Sequence, residues 1–382
     1  MIQPANRLAG LPPEEIIDRG RELTALIDPQ VMMVVHGEEM LDLLQRMKRA
    51  LLCNGHVLLR GDPGEGKTLL CECFAATITG VFTKIQFTPD MLPSDLKGKV
   101  VFNPKTAEWE VKHGPIYGSN IVLIDEINRG PAKLQAGLLE VMQERRVTLE
   151  GRVFFLSNEA FLVVATKNPI ESEGVHELPE AQRGRFLMQL AHKGSSMDTV
   201  LEILGDTDQW RFSRERIEKI RQVINVAEIA TLRQAIFTSI YVSPLLDKYI
   251  AQLREATKRY MVEVGKKEVE QLGGWRWPGQ KPQPAVSTLE EKNVVEHGVS
   301  PRGAQALQML AIVNAFFAGR SFVLPEDVRD NIVDCWNHQI FLNEQLARRF
   351  DVSGAKVVRR IIGEVNAEET ANLYMPEEKQ RG

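Results

Sequence analysis

Cysteine is scarce, with four residues in a chain of 382. Cys53, Cys71, Cys73 and Cys335 offer no paired C-x-x-C spacing, so no metal site can be read from them. Cys71 and Cys73 fall two apart in a helical pattern and point to different faces, and buried free thiols are the expected outcome. No apolar run approaches the length of a membrane span. The opening residues, among them Pro4, Arg7, Pro12, Pro13, Glu14 and Glu15, lack a signal-peptide core, so no membrane insertion and a cytoplasmic location are expected. Nor is there a strong excess of either charge. A formal net charge of -4 gives no general reason to expect nucleic-acid binding, although the sum would hide a local basic channel.

What is present is a soluble globular composition, 43% hydrophobic and 26% charged, over a length that suggests two or three domains. The most informative stretch runs from His56 to Thr68. A short apolar run feeds a loop of the form G-x-x-x-x-G-K-T, and an apolar-periodic segment from Leu69 to Ile78 follows it. Strand, loop and helix in that order are the context a phosphate-binding loop needs. Its glycines let backbone N–H groups turn toward phosphates, with a helix N-terminus behind them. Lys67 would reach the β- and γ-phosphates, and the Thr68 hydroxyl would complete the coordination of Mg²⁺.

Ile121 to Ile124 form a continuous apolar run, as in a central parallel strand covered on both faces. It ends in Asp125-Glu126, two charges with no place in a sheet core unless a cation or catalysis uses them. Asp125 would hold Mg²⁺ through its water shell and Glu126 would polarise the attacking water. Phe161 to Thr166 read as another buried strand, ending at Lys167-Asn168-Pro169. By itself the Asn-Pro pair reads as a turn. Beside the acidic pair, Asn168 is better placed to hydrogen-bond the attacking water or the γ-phosphate. Arg183 and Arg185 precede the next apolar segment. Arg185 is either an arginine that neutralises charge on the transferred phosphoryl group, supplied by a neighbouring chain, or a surface or ion-pairing residue.

Residues 1–33 are turn-rich and read as a cap or linker. Two hairpins are expected in the core, from Lys99 to Lys112 and from Val147 to Leu156, on an edge where they would touch a substrate or a neighbouring subunit. Phe102 and Trp109 in the first either pack on the body or face a partner. From Ser195 the periodicity becomes almost wholly helical, which sets a domain boundary near residues 190–200 and a lid able to move over the nucleotide. Residues 262–297 interrupt that pattern, with Trp275 and Trp277 as either a partner contact or a satellite cluster under a long loop. Ser300-Pro301-Arg302 opens a further helix, with Arg302 projecting from its first turn toward the nucleotide, where a cation is unfavourable for the helix dipole and favourable for a phosphate. The last stretch, residues 364–382, reads as a polar, frayed tail.

Together GDPGEGKT at 61–68, LPSDLKG at 92–98, VLIDEINRGPAKLQAGLLEVMQE at 122–144, VVATKNPIESEG at 163–174, LPEAQRGRF at 178–186 and SPRG at 300–303 resemble the MoxR family of AAA+ ATPases. The resemblance covers residues 34–190 densely and the lid more sparsely. It implies a P-loop AAA+ α/β core over 34–192, a parallel sheet between helices with hairpin insertions, then an all-helical lid over 193–363. It also implies ATP and Mg²⁺ as cofactors, bound by the loop residues Gly61, Asp62, Pro63, Gly64, Glu65, Gly66, Lys67, Thr68 and Leu69, with Val35 and Gly37 against the adenine. Asp125 and Glu126 resemble the Walker B pair, Asn168 sensor 1, Arg185 the arginine finger and Arg302 sensor 2. Gly184 replaces the usual acidic residue before the finger and leaves Arg183 as a competitor, and Gly303 replaces an alanine. The implied assembly is a homo-oligomeric ring, usually of six. It would act as a chaperone on a protein client or a von Willebrand factor A domain partner, with a nucleic-acid motor and a slowly hydrolysing ATP-gated scaffold as the alternatives.

Overall fold

The structure is a computed structural model and describes residues 5–156, 159–167, 176, 178–192, 194–206, 209–265, 289–367 and 371–376. Asn168, Trp275 and Trp277 lie outside the described residues. Nine strands build the main sheet and the two hairpins of the first half of the chain. They are β1 (Val57–Arg60), β2 (Phe82–Gln86), β3 (Gly98–Asn103), β4 (Glu108–His113), β5 (Ile121–Asp125), β6 (Arg146–Leu149), β7 (Arg152–Phe155), β8 (Leu162–Lys167) and β9 (Met188–Ala191). Five of them make a parallel sheet in the order β9-β1-β8-β5-β2. β3 with β4 and β6 with β7 are the two expected antiparallel hairpins.

Alternation along the central strands sends side chains into two separate cores. Val57, Leu59, Ile121, Leu123, Leu162 and Val164 face one, while Leu58, Val122, Ile124, Val163 and Ala165 face the other. Burial on both sides explains the continuous apolar runs read in the sequence. The first core is closed by helices α1 (Pro13–Ala25), α2 (Glu38–Leu52) and α3 (Lys67–Ala76) and extends without a break into the lid. The second is closed by α4 (Ala132–Glu144), whose Leu134, Leu138 and Met142 are buried there as their spacing predicts, and by the base of the hairpins.

The lid contains α5 (Met197–Gly205), α6 (Val226–Ser239), α7 (Pro244–Ala256), α8 (Pro301–Phe317), α9 (Pro325–Trp336) and α10 (Gly354–Glu364). Ser300 caps α8 by accepting from the Gly303 N–H at 3.2 Å, and Pro301 takes the first helical position, as read in the sequence. The lid is not purely helical. β10 (Met261–Gly265) pairs antiparallel with β11 (Leu289–Asn293), flanking residues that lie outside the described set. Residues 5–33 pack against the lid: Gly20 of α1 packs on Leu232 of α6, and Arg7 reaches the buried carboxylate of Glu228 at 2.6 Å. Within the C-terminal stretch Tyr374 is buried. All four cysteines are free and buried.

The lid is held to the core by more than the short link near residue 193. Asn337, just after α9, donates to the Gln189 carbonyl of edge strand β9 at 3.2 Å, and His338 Nε2 donates to the Phe186 carbonyl at 3.0 Å. Arg46 of α2 pairs with Asp334 of α9. Edge strand β9 is thereby covered, which removes an exposed pairing edge.

Candidate nucleotide site

The loop after β1 turns into α3 through Gly66, whose φ of +73° is a left-handed conformation that glycine adopts without steric cost. A cavity of about 410 Å³ opens over this helix N-terminus, where unpaired N–H groups favour an anion. Gly61, Pro63 to Leu69, Asp125 and Glu126 line it, so the phosphate loop and the acidic pair, far apart in sequence, meet at one cavity. Both stand at the C-terminal ends of parallel strands, β1 and β5, that flank β8 in the sheet. Lys67 Nζ donates to the carbonyl of Gly61 at 3.0 Å and to that of Asp62, and burial pushes its ammonium below the usual lysine range. The Thr68 hydroxyl and the Asp125 carboxylate are hard oxygen donors on this cavity, the donor type that Mg²⁺ takes when phosphates and water complete its shell.

Several residues that the sequence reading left without a role belong to the same site. Thr166, near the end of β8, donates from Oγ1 to Asp125 Oδ1 at 2.5 Å and accepts from the Glu126 N–H at 2.9 Å. Glu126 has φ +55° and ψ +54°, a left-handed backbone that costs a non-glycine residue roughly 1–3 kcal/mol. Its Oε2 is 3.1 Å from Arg129 and accepts from Gln86 at the end of β2 at 3.5 Å. Lys84 and Glu72, paired at 3.1 Å, also line the cavity. Position is their only sequence signal: Thr166 and Gln86 at or near strand ends, Lys84 in the middle of β2 and Glu72 one helical turn beyond the loop.

Glu65 of the loop turns toward the core–lid link. Its Oε2 accepts from the Ser195 N–H at 3.0 Å and from Ser195 Oγ at 2.9 Å, with His192 Nε2 at 3.5 Å. Val35 and Gly37 do not line the cavity. Val35 is buried in the core, and Gly37, at φ +95°, sits where a Cβ would meet Thr199 of α5 at 2.5 Å. Met40 bridges this segment to the loop, its Cε 3.4 Å from where a Cβ at Gly66 would stand.

Arg302 does not project toward this cavity, contrary to the sequence expectation. It shares a second cavity of about 290 Å³ with Arg185, also lined by Asn54, Gly55 and His56 before β1 and by Phe186 and Leu187 before β9. Those residues mark the N-terminal edge of the sheet, whereas the phosphate loop leaves its C-terminal edge. Four residues of strand at ~3.3 Å each put ~13 Å of sheet between the two edges. The lid wraps past β9 and sets the first turn of α8 on the wrong side to reach this chain's own loop. Among the described residues neither the Arg185 nor the Arg302 guanidinium has a hydrogen-bond or ion-pair partner, and Arg302 is exposed. Arg183 is instead stacked over the Phe341 ring at 5.3 Å.

Comparison with known proteins agrees with this geometry. A family model described as the ATPase family associated with various cellular activities (AAA) matches residues 56–188, and an AAA lid domain model matches residues 288–361. The chain is 35% identical over 336 residues to Chaperone MoxR1 of Mycobacterium tuberculosis, covering 87% of this chain and 79% of that protein. It is 29% identical over 341 residues to Protein MoxR of Methylorubrum extorquens, covering 87% and 91%. A solved structure of a candidate ATPase from Cytophaga hutchinsonii superposes with a TM-score of 0.75 at 33% identity, covering 93% of this chain and 98% of that one. With the sheet order, the phosphate loop, the acidic pair and the lid all in place, the chain belongs to the MoxR family of AAA+ ATPases.

Proposed function

We propose that the protein hydrolyses ATP at sites completed by a second copy of the same chain, and uses the reaction to remodel a protein partner. The observation that carries this reading is the separation of two half-sites on opposite edges of one sheet. The loop cavity offers Lys67, Thr68, Asp125 and Glu126 but, among its lining residues, no arginine. The other edge offers Arg185 and Arg302, whose guanidinium groups have no ion-pair partner among the described residues. Head-to-tail contact between copies brings one edge to the other, and repeated contact of that kind closes into a ring, here a hexamer.

ATP bound with Mg²⁺ supplies the reacting phosphoryl group and neutralises part of its charge. Lys67 and the loop N–H groups orient the β- and γ-phosphates. Glu126 orients a water for in-line attack and takes up its proton. Release of Glu126 from Arg129 is part of reaching that state, because the oxygen that contacts the guanidinium at 3.1 Å is the one a water would otherwise donate to. Arg185 and Arg302 of the neighbouring copy meet the charge that spreads over the transferred group. Arg185 is the better finger than Arg183, whose guanidinium is stacked on Phe341. Asn168 keeps its proposed role beside the attacking water.

Exposed apolar groups give the reaction something to move. Phe102 and Trp109 sit edge to face at 5.3 Å on the β3–β4 hairpin and are 46% and 66% exposed, so they face outward rather than packing on the body. The hairpin mixes Lys99, Lys105 and Lys112 with Glu108 and Glu110. That balance favours a protein client, such as a von Willebrand factor A domain protein in the cytoplasm, over the basic track a nucleic-acid motor needs. On α5, Met197, Leu201 and Leu204 are 77%, 59% and 68% exposed, beside the Glu65–Ser195 contact, and suit burial against the neighbouring copy. ATP turnover per chain should therefore rise with protein concentration as copies assemble, and Arg185→Ala and Arg302→Ala should each abolish that rise. Turnover per chain that is independent of concentration and of both substitutions would contradict the reading.

A further inference from the structure

Thr166 touches both members of the acidic pair, and nothing in its sequence position distinguishes it from the apolar residues before it on β8. Its side chain is buried, with 3% of the residue exposed. A threonine hydroxyl has one proton to give and two lone pairs to offer. The proton goes to Asp125 Oδ1 at 2.5 Å, and a lone pair receives the Glu126 N–H at 2.9 Å. The left-handed backbone of Glu126 takes that N–H out of the parallel ladder, whose register with β8 ends at Ile124 opposite Ala165. Without the hydroxyl, the N–H would be an unpaired donor in a half-buried site, which disfavours the backbone conformation that requires it.

We propose that Thr166 is a positioning residue for hydrolysis, which fixes the Asp125 carboxylate by donation and the turned backbone of Glu126 by acceptance. One hydroxyl thus sets two carboxylates that have different tasks. Asp125 is held by one oxygen in a single orientation. Glu126 is turned out of the strand at its Cα, so that its carboxylate stands in the cavity within reach of Arg129 and Gln86. A displacement of either acid passes to the other through this bridge. The inference rests on the ATPase reading above.

Thr166→Val keeps the shape and the β-branch in a buried strand and removes only the hydroxyl, while Thr166→Ser keeps the hydroxyl. The test measures kcat and KM for ATP in the assembled full-length protein, the affinity for a fluorescent ATP analogue with Mg²⁺ and with EDTA, and the thermal midpoint. For Thr166→Val we expect analogue affinity in EDTA within about threefold of wild type and kcat lowered about 30-fold, equivalent to about 2 kcal/mol of barrier. For Thr166→Ser we expect kcat within about threefold of wild type. The proposal is overturned if Thr166→Val keeps wild-type kcat, if Thr166→Ser is as slow as Thr166→Val, or if Thr166→Val loses analogue affinity in proportion to its loss of kcat. Should Thr166→Val not fold, Thr166→Ala takes its place under the same criteria. A wild type that binds ATP without turning it over would overturn the hydrolytic reading itself and this inference with it, an outcome separate from equal kcat in wild type and variant.

Discussion

Mild acid should weaken this fold through two buried histidines. His56, just before β1, accepts the Val163 N–H on Nδ1 at 3.0 Å and donates from Nε2 to the Met142 carbonyl at 3.2 Å, so both ring nitrogens are committed in the neutral form. Burial, reinforced by the nearby Arg145 guanidinium, pushes its pKa down to about 3. His338, which ties the lid to Phe186, is pushed down by burial to about 4. Both values are depressed relative to the unfolded chain, so between the folded and unfolded pKa the unfolded state binds more protons. Stability is therefore present in full above the unfolded value near ~6.5 and is lost as pH falls from there toward the folded values. At about pH 5 the linkage relation gives a loss of ~2 kcal/mol for each histidine, ~4 kcal/mol for the pair, relative to about pH 7.5. Urea denaturation at these two pH values, followed by tryptophan fluorescence and far-UV circular dichroism, measures it. His56→Gln removes one titration and should shrink the pH difference by ~2 kcal/mol while lowering stability at neutral pH. Equal wild-type stability at both pH values, or an unchanged pH difference in His56→Gln, would refute the reasoning.

Two further predictions concern places where packing and charge are tightly specified. Burial alone would raise the Glu228 pKa, but hydrogen bonds from Arg7 and the Asn225 N–H outweigh it and leave the carboxyl below its usual range. Because Arg7 is half exposed, Arg7→Ala should cost about 1–3 kcal/mol at neutral pH, and the deficit should shrink in acid as Glu228 protonates, which denaturation of wild type and variant across pH will measure. Replacing both Phe102 and Trp109 by Ser should change stability by no more than about 0.5 kcal/mol and leave basal ATP turnover intact. The same double variant should lose the partner proteins that Glu126→Gln retains under ATP, as read by affinity capture.

The parts of this molecule that the sequence announces are those whose signal is local. The phosphate loop, the apolar run ending at Asp125-Glu126, both hairpins and the Ser300 cap each lie within about a dozen neighbouring residues, so pattern and turn chemistry suffice. What was not legible depends on contacts between distant segments. Thr166 became a site residue only because β8 lies beside β5, a pairing that leaves no mark at Thr166 itself. The expectation that Arg302 projects toward the nucleotide rests on a cation being unfavourable for the helix dipole at the first turn of α8 and favourable for a phosphate. The contacts of α9 and the following residues with β9 carry Arg302 to the other edge, and those contacts are carbonyls accepting from Asn337 and His338, which have no sequence pattern. The burial of Tyr374 in a polar stretch likewise has no local pattern.

A nucleotide site shared between two copies is tested directly by a mixing experiment. Arg185→Ala retains the phosphate loop and acidic pair but offers no finger, and Glu126→Gln offers the finger but no base. Each alone should turn over ATP at about 1% of the wild-type rate or less. Mixed in equal amounts and allowed to exchange subunits, random pairing places a good finger against a good base at about a quarter of the interfaces, so roughly a quarter of wild-type turnover should return. A mixture no faster than the two variants measured separately would mean that each chain supplies its own arginine, and would contradict the shared site.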